Sequence, residues 1–278
     1  MATENKTAIV TGSTSGIGRE TVKALAKADY HLVLPVRNME KGKQLKKEIE
    51  ALYSSQQVRL VECDLESLKS VQNFVEVFRT EYTQLHLLIN NAGVWFSKRE
   101  LTEDGFEKNF AINHLSHFLL TKSLLDIIKK TPKARIINVA SEAHKFGQIN
   151  FNDLQSEKSF SSFKAYGQSK LANILFTRKL SKILEGSGVT VNSLHPGVVN
   201  TSLFDKMNGL IKSIFKFFMI TPEKGAATSI YLALSDEVAN KTGLYFKKCK
   251  AISPHKNALN TTDAEKLWEI SLELTDLN

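Results

Sequence analysis

The sequence predicts an α/β protein, a doubly wound parallel sheet of about seven strands with helices on both faces. Three observations predict it. Short apolar, strand-like runs alternate with longer amphipathic segments along the whole chain, which is the pattern of parallel strands joined by right-handed crossover helices. The first run, Thr7-Ala8-Ile9-Val10, reads as a short buried strand. It leads directly into a glycine turn, Thr11-Gly12-Ser13-Thr14-Ser15-Gly16-Ile17-Gly18, and then into a helical segment from Arg19 to Ala28.

Taken in order, the strand-like runs are 7–11, 31–36, 57–62, 85–90, 134–140, 189–195 and 243–247. Amphipathic helices at about 17–28, 39–53, 67–82, 104–130, 162–185 and 223–235 separate them. No internal repeat, low-complexity stretch or linker interrupts the series. The 278 residues are therefore read as a single domain, 1–278, with ample core. In an open sheet of this kind, sites gather at the carboxyl ends of the strands.

The glycine turn is an anion cradle. Glycines let the backbone approach a pyrophosphate, and the free N–H groups at the helix start meet its charge. The spacing here is Gly-x3-Gly-x-Gly, and its position right after a strand weighs against a merely structural turn. A second pattern lies farther along. Tyr166 and Lys170 are four residues apart on a predicted helix and so share a face. An ammonium beside a phenol favours the phenolate and is expected to draw its pKa down from about 10. Such a group can donate and accept the proton exchanged when an alcohol and a carbonyl interconvert.

Further motifs follow at strand ends: Asn90-Asn91-Ala92-Gly93 after the run 85–89, Asn113 in the next helix, Ser141 after 135–140, and Pro196-Gly197 with Thr201. With the glycine turn and the Tyr–Lys pair, this ordered set resembles the short-chain dehydrogenase/reductase family over nearly the whole chain. The resemblance implies a Rossmann-type sheet in the order 3-2-1-4-5-6-7. It also implies a site in which Tyr166 exchanges the proton and Lys170 holds the nicotinamide ribose and stabilises the phenolate. Ser141 would orient the substrate oxygen, and Asn113 would hold a water linking Lys170 to solvent. For the cofactor it implies Gly12, Ser15, Gly16, Ile17 and Gly18 at the glycine turn, and Asp64 and Leu65 after the third strand, with Asp64 on the adenine amino group. Asn91, Ala92 and Gly93 follow the fourth strand, and Pro196, Gly197, Val199 and Thr201 lie at the nicotinamide end. Read locally, Asp64 could equally cap the helix beginning near Ser67.

A closer likeness is to the retinol dehydrogenase branch. Its carriers are Val36-Arg37-Asn38-Met39-Glu40-Lys41-Gly42, Leu171-Ala172-Asn173-Ile174-Leu175-Phe176, and the stretch between Ser141 and Tyr166. That stretch contains Ala143-His144-Lys145-Phe146-Gly147 and Ile149-Asn150-Phe151-Asn152-Asp153-Leu154. A retinol- or retinal-like lipophilic substrate is implied, with a carbonyl reductase for steroids, quinones or xenobiotics, or a non-catalytic NADP-binding regulator, as alternatives. The cofactor is expected to be NADP(H). After Val36 comes Arg37, with no carboxylate before Glu40, and a guanidinium suits a 2′-phosphate by charge and bidentate geometry. An Arg37 that only stacks on adenine would leave both cofactors usable.

Composition narrows the remaining classes. The net charge is +8, with lysines at 41, 43, 46, 47, 247, 248 and 250. Those at 41–47 fall on a solvated helix face and no nucleic-acid motif accompanies them, so nucleic acid is not expected as a partner. The two cysteines, Cys63 and Cys249, lack metal-ligand spacing and suggest no disulfide framework, so no metal is expected and a reducing, cytoplasmic setting is the default. His144 and His195 are given no catalytic part. No apolar run reaches 18 residues, so no transmembrane segment is expected, nor is an N-terminal signal or anchor. Leu203, Met207, Leu210, Ile211, Ile214, Phe215 and Phe218 recur at helical spacing. This amphipathic segment, about 202–221, is read as a substrate lid, with core packing or peripheral membrane contact as the other readings. A homo-oligomer is compatible with the chain, although no residue marks its interface.

Overall fold

The computed structural model describes residues 6–53, 57–199 and 220–276. Thr201 and the amphipathic segment 203–218 lie outside the described residues. The strands are β1 (Thr7–Val10), β2 (His31–Val36), β3 (Val58–Glu62), β4 (Leu87–Asn90), β5 (Arg135–Val139), β6 (Thr190–His195), β7 (Tyr245–Lys247) and β8 (Lys250–Ile252). They form one eight-stranded sheet in the order β3-β2-β1-β4-β5-β6-β7-β8. Every pairing is parallel except β7 with β8.

Both faces of the sheet are covered, and the strand residues divide between them with the period of two that a pleat imposes. Ile9, Val33, Leu88, Ile136 and Val191 face one layer, which includes Phe74, Phe78, Phe118 and Phe176. Ala8, Val10, Leu32, Leu34, Ile89, Ile137 and Leu194 face the other, with Val22, Leu25, Ile49 and Leu232. The first layer is supplied by helices α3 (Leu68–Glu81), α5 (Ser116–Ser123), α6 (Leu125–Lys130) and α7 (Ser162–Ile183). The second is supplied by α1 (Gly16–Lys27), α2 (Met39–Leu52) and α8 (Pro222–Leu234). The chain runs outward from β1 to β2 and β3, then crosses back to β4 on the other side of β1. The crevice for a ligand lies at that reversal.

Three features differ from the sequence reading. An eighth strand, β8, closes the sheet edge through a hairpin whose two turn residues, Lys248 and Cys249, have φ of 50° and 59°. Two-residue hairpin turns favour positive φ, which Asn-Gly or Asp-Gly would have signalled and Lys-Cys does not. A C-terminal helix, α9 (Thr261–Leu274), buries Ala264, Leu267, Trp268 and Ser271 at helical spacing and is capped by Asn260, which accepts from Asp263 N at 3.1 Å. The long helix expected at 104–130 is broken. A single turn, α4 (Lys108–Phe110), passes into a π-helical turn over Ala111–Leu115 before α5 begins. One extra residue in that turn carries Asn113, and such widened turns recur at functional sites.

Candidate active site

The site is built from loops that leave the carboxyl ends of β1, β4, β5 and β6. The glycine turn follows β1, and its shape depends on close approach. A Cβ on Gly18 would lie 2.1 Å from the Gly12 carbonyl oxygen and 2.6 Å from Asn91 Nδ2, so no side chain fits there. Asn91 reaches across to the turn, donating from Nδ2 to the Thr11 carbonyl at 2.8 Å. Ser15 caps α1 without a side-chain hydrogen bond, leaving the first-turn N–H groups open.

Thr11 ties the loop after β4 to the one after β1. Its Oγ1 accepts from the backbone N–H groups of Asn91 and Ala92, each at 2.9 Å. With both lone pairs taken, the hydroxyl must donate, and His117 Nε2 at 2.9 Å is its better acceptor. The other ring nitrogen, Nδ1, therefore carries the proton and donates to the Asn113 carbonyl at 3.1 Å. Burial holds His117 neutral, with its pKa down to about 4. The sequence offered no sign of this bridge between the glycine turn and Asn113.

Asn113 is wholly buried. Its Oδ1 accepts from Val94 N at 2.8 Å, and its Nδ2 donates to the Val94 carbonyl at 3.0 Å and to Ser169 Oγ at 2.9 Å. The side chain thus clamps the backbone beyond Gly93, with both its N–H donors used. Its Oδ1, with one bond accepted, and its main-chain oxygen, which accepts from His117, each keep a lone pair for a water.

Tyr166 and Lys170 share the inner face of α7, with Lys170 Nζ 5.8 Å from the centre of the phenol ring. Lys170 is 3% exposed and donates to the Val139 carbonyl at 3.2 Å. No carboxylate is paired with it among the described residues, and burial lowers its pKa to about 8. The expected lowering of the phenol does not appear in this structure. Burial pushes Tyr166 up to about 12, with the Ser141 hydroxyl pulling the other way. The reason is desolvation, which penalises the charged form of both groups.

Ser141 caps a short 3-10 turn, Glu142–Phe146, its Oγ accepting from Ala143 N at 3.2 Å. Two histidines brace that turn. His144 Nε2 accepts from His255 N at 3.0 Å, so its Nδ1 carries the proton and donates to the Ser141 carbonyl at 2.7 Å. His195 Nδ1 accepts from Glu142 N at 3.3 Å. Both are buried, in keeping with a packing part rather than a chemical one.

The remaining candidates lie at or just beyond the carboxyl ends of β1, β2, β3 and β6. Ile17 and Val199 both crowd Gly225, whose added Cβ would meet them at 3.2 and 2.5 Å, so the first turn of α1 and the loop after β6 converge. Pro196 and Gly197, with Gly197 at φ +98°, open that loop. After β2, Arg37 is exposed and pairs with Glu66 at 3.1 Å, while Lys108 holds the same carboxylate at 2.9 Å. Asp64 is not the helix cap, a place taken by Ser67. Its Oδ1 accepts from Glu66 N at 3.0 Å. Leu65 is partly buried, and its carbonyl accepts from Ser116 Oγ at 2.6 Å.

These residues fit a dinucleotide. Ser13 Oγ in the glycine turn is buried without a hydrogen-bond partner among the described residues. Gly93 leaves a hollow beside the lysine, where an added Cβ would sit 3.1 Å from Lys170 Nζ and 3.5 Å from Asn113 Oδ1. Trp95, which sequence reasoning passed over, stacks on Tyr166.

Fold and site together define a class. Residues 6–209 match the family model for short chain dehydrogenase, and the chain belongs to that family of oxidoreductases, which act on CH–OH groups with a nicotinamide cofactor. Within it the chain is similar to retinol dehydrogenases. It is 42% identical to human (Homo sapiens) retinol dehydrogenase 11 over 274 residues, covering 98% of this chain and 86% of that protein. It is 43% identical to human retinol dehydrogenase 12 over 271 residues, covering 97% and 86%. A crystal structure of an uncharacterized protein from Mycobacterium Paratuberculosis superposes with a TM-score of 0.80 at 31% identity, covering 98% of this chain and 93% of that one.

Proposed function

We propose that this protein is an NADP(H)-dependent oxidoreductase that interconverts a lipophilic alcohol and its aldehyde, of the retinol and retinal kind, acting through Tyr166, Lys170, Ser141 and Asn113. The observation that carries the reading is the buried pair on α7. Lys170 is an almost fully enclosed ammonium beside a phenol, with one protein carbonyl and no paired carboxylate among the described residues. A buried cation left so sparsely partnered is costly unless a ligand supplies acceptors, and the hollow over Gly93 is where ribose hydroxyls would reach it.

The nicotinamide supplies the hydride for reduction, or takes it in oxidation. Tyr166, protonated at neutral pH, donates its proton to the oxygen of the carbonyl as the carbon accepts hydride, and takes it back in the reverse direction. Ser141 holds the substrate oxygen against the phenol. Lys170 binds the ribose and stabilises the phenolate that proton donation leaves. Asn113 fixes the loop that carries Gly93. Gly12, Ser15, Gly16, Ile17 and Gly18 receive the pyrophosphate, Asp64 and Leu65 the adenine, and Pro196, Gly197, Val199 and Thr201 the nicotinamide. Arg37 can leave Glu66 for a 2′-phosphate because Lys108 still neutralises that carboxylate.

The names of the relatives support the retinoid reading, and the apolar surroundings of Tyr166 agree with it. The test is oxidation of NADPH and NADH by purified protein with all-trans-retinal, medium-chain aldehydes, steroids and quinones. Retinal turnover, with NADPH well ahead of NADH, is expected. Turnover of steroids or quinones alone would replace the substrate class. Tyr166→Phe should lower kcat by about 10²-fold or more while NADPH binding, followed by fluorescence, stays within about threefold. Unchanged turnover in that variant would remove Tyr166 from the reaction.

A further inference from the structure

Trp95 lies two residues beyond Gly93, where the proton chemistry makes no demand for an indole. Its ring nevertheless stacks on Tyr166, with centroids 4.7 Å and planes 14° apart. Phe163 meets the same indole edge-on, at 4.8 Å and 85°. Phe163 and Tyr166 are three residues apart on α7 and so present one continuous face to it. The backbone on either side of Trp95 is pinned. Val94 is held through both its N–H and its carbonyl by Asn113, and Phe96 N donates to Asn109 Oδ1 at 3.0 Å. The indole is therefore held from both sides against the Tyr166 ring.

Packing alone accounts poorly for this arrangement. Trp268, the other tryptophan, is 7% exposed and enclosed by Phe118 and Phe176, as a core indole should be. Trp95 is only half-buried, and Phe163 beside it stays 45% exposed. Open aromatic surface at the edge of a reaction site is a place for an apolar ligand. We infer that Trp95, backed by Phe163, is the specificity-determining wall of the substrate pocket, receiving the flat conjugated chain next to the carbonyl and favouring long planar aldehydes over short flexible ones. The inference rests on the reading of Tyr166 as the proton donor. An aromatic contact strengthens binding beyond the area it buries, and the buried chain carbons add more. The two together favour a long planar aldehyde by about tenfold or more. Because the wall touches the chain and not the reacting atoms, it acts on ground state and transition state alike and appears in KM.

The test compares all-trans-retinal with hexanal as substrates of wild-type protein, Trp95→Ala, Trp95→Phe and Phe163→Ala. Retinal affinity for the protein loaded with NADP+, which has no hydride to give, is also measured by equilibrium dialysis. In Trp95→Ala the ratio of kcat/KM for retinal over hexanal should fall about tenfold, through KM, and retinal affinity should fall with it. Trp95→Phe should keep the ratio within about threefold, and Phe163→Ala, at an exposed position that tolerates change, should lower it by an intermediate amount. Equal losses on both aldehydes, with retinal affinity unmoved, would show that Trp95 only steadies Tyr166 and would overturn the inference while leaving the proposed function intact. If wild-type protein turns over neither aldehyde, the proposed function fails by itself. The dialysis comparison then still decides whether Trp95 receives the chain.

Discussion

At the scale of single residues, the site is governed by desolvation. Lys170 titrates near 8 rather than at the usual lysine value because it is buried, and Tyr166 stays protonated far above neutrality for the same reason. Reduction should therefore run with a phenol ready to donate across neutral pH and lose efficiency when the ammonium is lost. We expect kcat/KM for NADPH in aldehyde reduction to fall as pH rises through about 8, a profile that reports groups of the free enzyme. A profile flat from pH 6 to 10 would show that the charge of Lys170 plays no part. Arg37 offers a second check. A charge-assisted hydrogen bond is worth about 1.5–3 kcal/mol, so Arg37→Gln should cost about 10- to 100-fold in kcat/KM for NADPH and leave NADH within about threefold. Equal losses with both cofactors would assign Arg37 to adenine stacking. The placement of the Tyr–Lys pair on one face of α7 and of Arg37 directly after β2 was legible in the sequence because both follow from local position. Thr11, His117 and Trp95 were not, because their parts depend on contacts between segments remote in the chain.

Among the elements, the decisive joint is between the loops after β1 and β4. Thr11 Oγ1 satisfies two backbone N–H groups and His117 at once, and this holds Asn91 against the glycine turn. Thr11→Val keeps the shape and removes the acceptor. Ala92 N then loses its partner, whereas Asn91 N keeps the Ile89 carbonyl at 3.0 Å. A donor left unpaired costs about 1–3 kcal/mol, so the variant should lose about that much in urea unfolding and bind NADPH more weakly, while Thr11→Ser stays close to wild type. An unchanged unfolding midpoint would mean that the loop finds other partners. Strand and helix positions were readable throughout from alternation and amphipathicity. The π-helical turn at Ala111–Leu115 was not, since its residues continue the helical pattern and nothing local announces the contact of Asn113 with Val94. Helix α9 carried a readable signal in Ala264, Leu267, Trp268 and Ser271, which the reading of alternating strands and helices stopped short of.

For the whole molecule, the buried histidines couple fold stability to acidity. His114 is held at about 3, and His117 and His195 at about 4, by burial, against about 6.5 in an unfolded chain. Between those values the unfolded state binds protons that the folded state refuses, so stability rises with pH across this window and is lost as pH falls from about 6.5 towards 4. Each tenfold loss of proton affinity on folding corresponds to about 1.4 kcal/mol, so the three rings together amount to several kcal/mol. The urea midpoint should therefore drop markedly between pH 7 and pH 5. A midpoint that does not move would show these rings to be protonated or hydrated in the folded state. Among the described residues no helix is long and apolar enough to cross a membrane.

By itself the sequence determined the α/β class, the parallel sheet and the family, because strand and helix periodicity and the glycine, Asn-Asn-Ala-Gly, serine and Tyr–Lys motifs are local patterns. The tertiary structure decided the eighth strand, the widened turn under Asn113, the direction in which Tyr166 and Lys170 shift, and the stacking of Trp95 on Tyr166. Each of these depends on burial and on which remote groups meet, quantities that belong to the folded chain and have no local spacing to announce them.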